Sequence, residues 1–242
     1  MIRFTRSYTA NGFIGAAVIA SATLSLVTAS ANAQVGYTPS KSPYEDLKPT
    51  QDLTLFFGRF GSSPGIAGVL SKPSLFGGAR YDVPVGGPAS LFARYVFVPS
   101  ERNYLLPSNT AANRFLGSVN TTTNVADVGL AIALTGRKTY HRFVPSLQGG
   151  FGIAIDPTKP DTGLYKFGSK FTITYGANLH YIFRNGWGVR ADATSYFWQN
   201  SYPDGYAITG LDTTAVLKST NDRTGWKSNW AFTLGFTIPI VR

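Results

Sequence analysis

From Gln51 to the end of the chain, apolar and aromatic residues alternate with polar or very small ones. That is the two-residue period of a β-strand whose faces meet different surroundings. The clearest stretch runs from Lys170 to Phe183. Its odd positions hold Phe171, Ile173, Tyr175, Ala177, Leu179, Tyr181 and Phe183, and its even positions hold Lys170, Thr172, Thr174, Gly176, Asn178, His180 and Ile182. Strands in soluble sandwiches mostly run about 5–6 residues. A tilted strand that crosses a bilayer takes about 9–11 and often projects beyond it.

Seven other segments carry the same alternation. Over 51–60, Leu53, Leu55 and Phe57 share a face. Over 74–84, Leu75, Ala79, Tyr81 and Val83 oppose Arg80 and Asp82. Over 90–98, Leu91, Ala93, Tyr95 and Phe97 oppose Phe92, Arg94 and Val96. Over 124–135, Val128, Leu130, Ile132 and Leu134 oppose Asp127, Gly129, Ala131 and Ala133. Over 142–155, Phe143, Leu147, Phe151, Ile153 and Ile155 oppose Ser146, Gln148, Gly150 and Gly152. Over 187–199, Val189, Ala191, Ala193 and Phe197 oppose Arg190, Asp192 and Thr194. Over 228–241, Trp230, Phe232, Leu234, Phe236, Ile238 and Ile240 oppose Asn229, Thr233, Gly235 and Thr237.

The connections alternate in length. Those over 61–73, 99–123, 156–169 and 200–227 are long, whereas Val85–Pro88, Gly136–His141 and Arg184–Gly186 are short. Eight strands joined this way predict an all-β, eight-stranded antiparallel up-and-down transmembrane β-barrel, long loops outside and short turns in the periplasm. Register is testable at one turn. A two-residue Asn185-Gly186 loop would put Arg190 and Asp192 on the lipid face, at a cost of a few kcal/mol each near mid-bilayer. A three-residue loop, Arg184-Asn185-Gly186, with Gly186 in the left-handed region, instead pairs His180 with Arg190 and Asn178 with Asp192. The second register is expected.

Composition fits this picture. Only 14% of the 242 residues are charged, 14% are aromatic, and there is no cysteine. Disorder, disulfide frameworks, zinc–thiolate sites and thiol nucleophiles are thereby excluded. Residues 1–33 read as a cleavable secretory signal. Arg3 and Arg6 precede an apolar stretch, Gly12 to Val27, and Ala31-Asn32-Ala33 forms a small-x-small site with cleavage after Ala33. Its removal lowers the formal charge from +10 to +8. No later segment approaches eighteen consecutive apolar residues, so helical membrane spans are not expected. Residues 34–50, with three prolines, read as a periplasmic N-terminal arm, and 51–242 as the barrel.

Eight strands leave a lumen that side chains can fill. The inward set is Arg80, Asp82, Arg94, Asp127, Gln148, Asn178, His180, Arg190 and Asp192, expected to form a polar plug. Arg80 and Arg94 fall opposite each other, which calls for intervening carboxylates; Asp82 and Asp192 lie at the right height. Tyr81, Tyr95, Phe97, Phe143, Phe171, Tyr175, Tyr181, Phe183, Trp187 and Trp230 are the expected membrane girdle. The two histidines, His141 and His180, lie near the short-turn end without a Ser or Asp arrangement around them, so no catalytic, metal or cofactor site is assigned. The long loops carry Arg102, Tyr104, Arg114, Tyr202, Asp204, Tyr206, Asp212, Asp222 and Arg223, and present either a solvated rim or a contact surface.

With this layout, and with its closing strand Gly225-Trp226-Lys227-Ser228-Asn229-Trp230-Ala231-Phe232-Thr233-Leu234-Gly235-Phe236, the chain resembles the small OmpA/OmpX-like outer-membrane barrels over 51–242. The resemblance implies a bacterial outer-membrane location and contacts with outer-membrane lipid, lipopolysaccharide and the barrel-assembly machinery. It does not imply a cell-wall tether, because no peptidoglycan-binding domain follows the barrel. The last residue is Arg242 rather than the usual terminal aromatic, so assembly signals would fall on Phe232, Phe236 and Ile240. The expected role is structural or surface-interacting, as a monomer without nucleic acid. A narrow channel for small solutes and a soluble lipocalin-like binder are the alternatives.

Overall fold

The computed structural model describes residues 42–48, 50–62, 65–161 and 164–241. The expected signal, 1–33, and the beginning of the expected arm lie outside them. Ten strands follow in chain order: β1 Tyr44–Asp46, β2 Gln51–Gly61, β3 Ser74–Gly86, β4 Ala89–Leu105, β5 Phe115–Ala133, β6 Lys138–Tyr140, β7 Phe143–Asp156, β8 Gly168–Ile182, β9 Gly188–Ser201 and β10 Thr224–Val241. Eight of them close a ring, β2-β3-β4-β5-β7-β8-β9-β10, with every neighbour antiparallel and β10 returning to β2 from Trp230↔Gly61 to Val241↔Gln51. The fold is an all-β, eight-stranded closed up-and-down barrel.

Several expectations need correction in detail. The connection expected over 99–123 is mostly strand: β4 runs to Leu105 and β5 begins at Phe115. Its polar, threonine-rich composition hid a ribbon that alternates without a lipid-facing side. The expected short turn over 136–141 holds the extra strand β6, which pairs with β1 in the arm from Tyr44↔Tyr140 to Asp46↔Lys138. Leu47 N donates to the Arg137 carbonyl at 2.8 Å, and Arg142 Nε lies 3.7 Å from Glu45.

The β8–β9 turn takes the expected three-residue form. Gly186 has φ +90°, Phe183 N donates to the Trp187 carbonyl at 2.8 Å, and the ladder sets His180 opposite Arg190 and Asn178 opposite Asp192. One consequence runs all the way round the barrel: every strand presents large apolar side chains outward, and a set of arginines and aspartates points inward. Phe57 is 70% exposed, Leu75 75% and Phe232 61%, whereas Arg80, Arg94, Asp127 and Arg190 are buried. A soluble barrel would have the reverse arrangement.

Inside, the wall is drawn together where side chains vanish. Gly129 of β5 faces Gly150 of β7 across the ladder. A Cβ on Gly150 would collide with the Val128 carbonyl oxygen, and a Cβ on Gly129 would meet the Phe92 ring at 2.6 Å. Phe92 thus lies against a position that only glycine leaves free, and its ring receives the Arg80 guanidinium, 4.0 Å from the centroid. Outward-facing Gly149 has nothing nearer than 3.9 Å to a built Cβ. Gly150→Ala is therefore expected to destabilise the barrel by about 2 kcal/mol or more, and Gly149→Ala by under about 0.5 kcal/mol. Urea midpoints of the two refolded variants compare these directly.

Candidate functional site

The lower part of the lumen, toward the short turns, is an ion network. Arg80 forks onto Asp82 at 2.7–3.0 Å. Arg190 bridges Asp82 and Asp192, each at 3.1 Å, and Asp192 also lies 3.8 Å from Arg80. Arg94 takes a different carboxylate from the one expected. Its cross-strand partner is Asp127, bound at 2.7 and 3.0 Å, because β4 and β5 set the two residues directly opposite. Gln148 accepts from Arg80 and donates to Thr194 at 2.9 Å, and Thr194 also accepts from Arg94. Thr174 donates to Asp127 at 2.9 Å.

Three guanidinium groups thus meet three carboxylates, each bridged by hydrogen bonds, which is the condition under which buried charge is tolerated. Asn178 joins through a longer bond to Gln148, 3.4 Å. His180 does not join: its Nε2 is buried without a hydrogen-bond partner. It borders a recess of about 420 Å³ that opens between the short turns and is also lined by Asp52, Asp82, Asn178 and Arg190.

Above the ions lies a layer absent from the expected polar plug. Phe56, Phe60, Phe76, Val96, Val98, Val125, Phe167, Tyr196 and Trp198 form one buried cluster inside the barrel. Phe60 stacks on Trp198 at 6.1 Å, and Arg94 lies 5.1 Å from the Tyr196 ring centroid. The signal was present in the sequence, since all of these but Phe167, which precedes β8, occupy the inward parity of their strands. The space left between Phe56, Arg80, Arg94, Asp192 and Tyr196 is about 10 Å³. That is at the lower limit for a single water, about 10–15 Å³.

The long connections fold over the far end as a packed cap rather than a solvated rim. Ala67, Val69, Leu70, Tyr165, Tyr202, Tyr206 and Leu217 form a second buried cluster. Asp161 organises it, accepting from Tyr206 Oη at 2.9 Å and from the Tyr165 backbone N–H at 2.7 Å. Arg102, also buried, donates to the Lys159 carbonyl at 2.8 Å and sits over the Tyr165 ring. Burial, together with the neighbouring Asp161 carboxylate, pushes the Tyr206 phenol well above its ordinary value; burial does the same for Tyr165. A second latch joins the β4–β5 tip to the last long connection. Asp212 accepts from Ala111 N at 2.6 Å and from Thr214 Oγ1 at 2.7 Å, and Arg114 lies 3.4 Å away. Those bonds, led by the Ala111 N–H, lower the Asp212 carboxyl to about 2. Of the other loop residues, Arg223 pairs with exposed Asp204.

The residues expected as a girdle all lie on the outward parity, eight of them exposed and Tyr81 and Tyr181 half-buried. They meet in pairs: Phe143 with Tyr181 at 4.8 Å, Tyr175 with Trp230 at 6.0 Å, and Trp187 with Phe236 at 5.1 Å. Among the described residues, no three His, Asp or Glu side chains converge as a metal site.

The architecture is an eight-stranded closed barrel with large apolar side chains outside and paired charges within. No protein-family model and no curated protein matches the chain. Among solved structures, the chain is similar to the Yersinia pestis outer membrane protein Ail in a phospholipid bilayer nanodisc. That match has 11% identity and a TM-score of 0.40, covering 78% of this chain and 99% of that one. It is also similar to Ail in complex with the heparin analogue sucrose octasulfate, with 13% identity, a TM-score of 0.34 and the same coverages.

Two outcomes follow from the site. Arg94→Ala strands Asp127 in the lumen and is expected to cost about 3–5 kcal/mol; an unchanged urea midpoint and heat-modifiable band would contradict the pairing. The cap should be alkali-sensitive. A tyrosine whose folded value is raised contributes stability that is intact below its ordinary value of 10 and is lost as pH rises beyond it. Tyrosinate absorbance should therefore lag the free-phenol curve and then rise together with cap opening, and Tyr206→Phe should weaken that coupling.

Proposed function

We propose that the protein is an outer-membrane anchor, a barrel whose sealed lumen supports a folded platform for interactions at the cell surface. The observation that carries this reading is the inside-out wall: all eight strands turn large apolar side chains outward, while three arginines and three aspartates pair within. Along β8, outward Phe171 and Tyr181 are ten residues apart. At about 3.4 Å per residue and a tilt of about 40°, they span roughly 25 Å, the height of a lipid-facing band with aromatic girdles at its edges.

The long connections then face outward, where their cap meets lipopolysaccharide, and the short turns with the β1–β6 pair lie in the periplasm. Residues 1–33 serve as the export signal, cleaved after Ala33, and 34–50 as the periplasmic arm. Phe232, Phe236 and Ile240, all exposed on β10, provide the signal for the assembly machinery. The protein works as a monomer and not as an enzyme. Lumen carboxylates Asp82, Asp127 and Asp192 are taken up in ion pairs, and both histidines lie toward the short turns. The ion network and the buried aromatic layer above it favour a plug over a channel.

Fractionation of expressing cells tests the location. Recovery with the outer membrane after carbonate washing is expected, whereas a soluble periplasmic pool would favour the lipocalin-like alternative. Planar-bilayer recording tests the plug: the wild type should give no stepwise conductance, and discrete steps would favour the channel reading.

A further inference from the structure

The first strand is clasped to the far side of the barrel. In the ring β2-β3-β4-β5-β7-β8-β9-β10, β2 and β7 stand opposite each other. β1 ends at Asp46, just before β2 begins, yet it pairs with β6, which lies in the connection between β5 and β7. The chain joining β1 to β2 therefore crosses the short-turn mouth of the lumen. Leu47, Lys48 and Thr50 border the recess of about 420 Å³ there, together with Asp82 of β3, Val144 of β7, Asn178 and His180 of β8 and Arg190 of β9. Asp52, at the foot of β2, also borders it and accepts from Thr50 Oγ1 at 2.8 Å. Asp82 and Arg190 belong both to the recess and to the ion network, which thus forms its inner end.

The clasp is slight beside the wall it is attached to. Three residue pairs join β1 to β6, whereas every ladder of the wall has at least nine. β6 in turn meets β7 at the single pair Tyr140↔Phe143. Leu47 N donates to the Arg137 carbonyl at 2.8 Å, and the Tyr44 and Tyr140 rings lie 5.3 Å apart. Arg142 stands 3.7 Å from Glu45, whose side chain is 61% exposed, and an exposed pair of that kind contributes little. A short two-stranded pairing is marginal in water on its own. Segments held this way open at a much lower free energy than the closed ladders around them.

We propose that Tyr44–Lys48 form a releasable strap: β1 unclasps from β6 while the barrel stays closed, and the recess then admits water-soluble molecules too large to pass the clasped strap. In the clasped state the strap shields Asp52, Asn178 and His180. In the released state they line an open cup at the foot of the ion network. The network and the aromatic layer persist in both states, so release changes access to the recess and leaves the lumen blocked above it. In the cell, release toward the periplasm rests on the orientation proposed above. The clasp itself does not, so a failed fractionation and a failed strap are separate results.

The test uses the full chain refolded in detergent micelles. Because the chain has no native cysteine, Ser146→Cys places a single thiol in the recess, where Ser146 is buried on β7. Tyr44→Ala/Leu47→Pro releases the strap by removing the ring contact and the Leu47 N–H. In the released protein, fluorescein maleimide should label position 146 at least about tenfold faster than with the native strap. A small methanethiosulfonate reagent should gain much less, and the urea midpoint should not move. Without any thiol reporter, amide exchange at Leu47 should be at least about a hundredfold faster than in the β2–β3 ladder. A disulfide between Tyr44→Cys and Tyr140→Cys, which face each other in register, should slow exchange at Leu47, and reduction should restore it. Exchange at Leu47 as slow as the wall, or indifferent to the disulfide, would overturn the proposal. So would equal maleimide labelling with and without the strap, or a lowered urea midpoint on release, which would make the strap part of the wall.

Discussion

Closing eight strands leaves one enclosed place for charge, and this constraint governs the rest of the molecule. Large apolar side chains cover the outside of every strand, and Arg80, Arg94, Arg190, Asp82, Asp127 and Asp192 share a narrow lumen. Taking ions out of water costs several kcal/mol each unless partners stand at hydrogen-bond distance. The network of Arg80, Arg94 and Arg190 with Asp82, Asp127 and Asp192 meets that condition through strand register alone. Arg94 faces Asp127, Asn178 faces Asp192, and Arg190 faces His180 because the ladders place them there. A one-residue slip would turn each of these side chains to the lipid side of the wall.

The network in turn depends on glycine. Gly129 lets Phe92 lie against the wall, Gly150 lets β5 and β7 approach there, and Phe92 presents its ring to Arg80. Above that level the lumen turns aromatic, and above the aromatics the long connections close over with Asp161 and Arg102 at their centre. Three successive layers, ionic, aromatic and capped, leave little continuous space along the axis. On the proposed reading, this filled interior supports the outer surface.

The wall was legible in the sequence because period-two alternation reports directly which side chains face apart. The turn at Arg184-Asn185-Gly186 was legible because the alternative register carried a charge penalty. The cap was not. Tyr165, Tyr202, Tyr206 and Leu217 come from two separate connections and follow no period, so only the folded chain brings them together. The ribbon was missed because both of its faces lie beyond the apolar band, where threonine and asparagine serve as well as leucine. Asp127 was recognised as inward, yet its pairing with Arg94 required the register of β4 on β5, across a connection whose length hid the strands.

The absence of native cysteine makes one measurement decisive for the inside-out wall. Single cysteines placed along β8, carrying spin labels in the protein reconstituted into lipid bilayers, report collisions with oxygen from the lipid and with a polar nickel complex from water. Labels at positions 171, 173, 175, 177 and 179 should favour oxygen, with the preference deepest midway. Labels at 172, 174 and 178 should be immobile and reached poorly by both. Strong nickel accessibility at the odd positions, or no alternation between neighbours, would contradict a lipid-facing exterior around a sealed lumen.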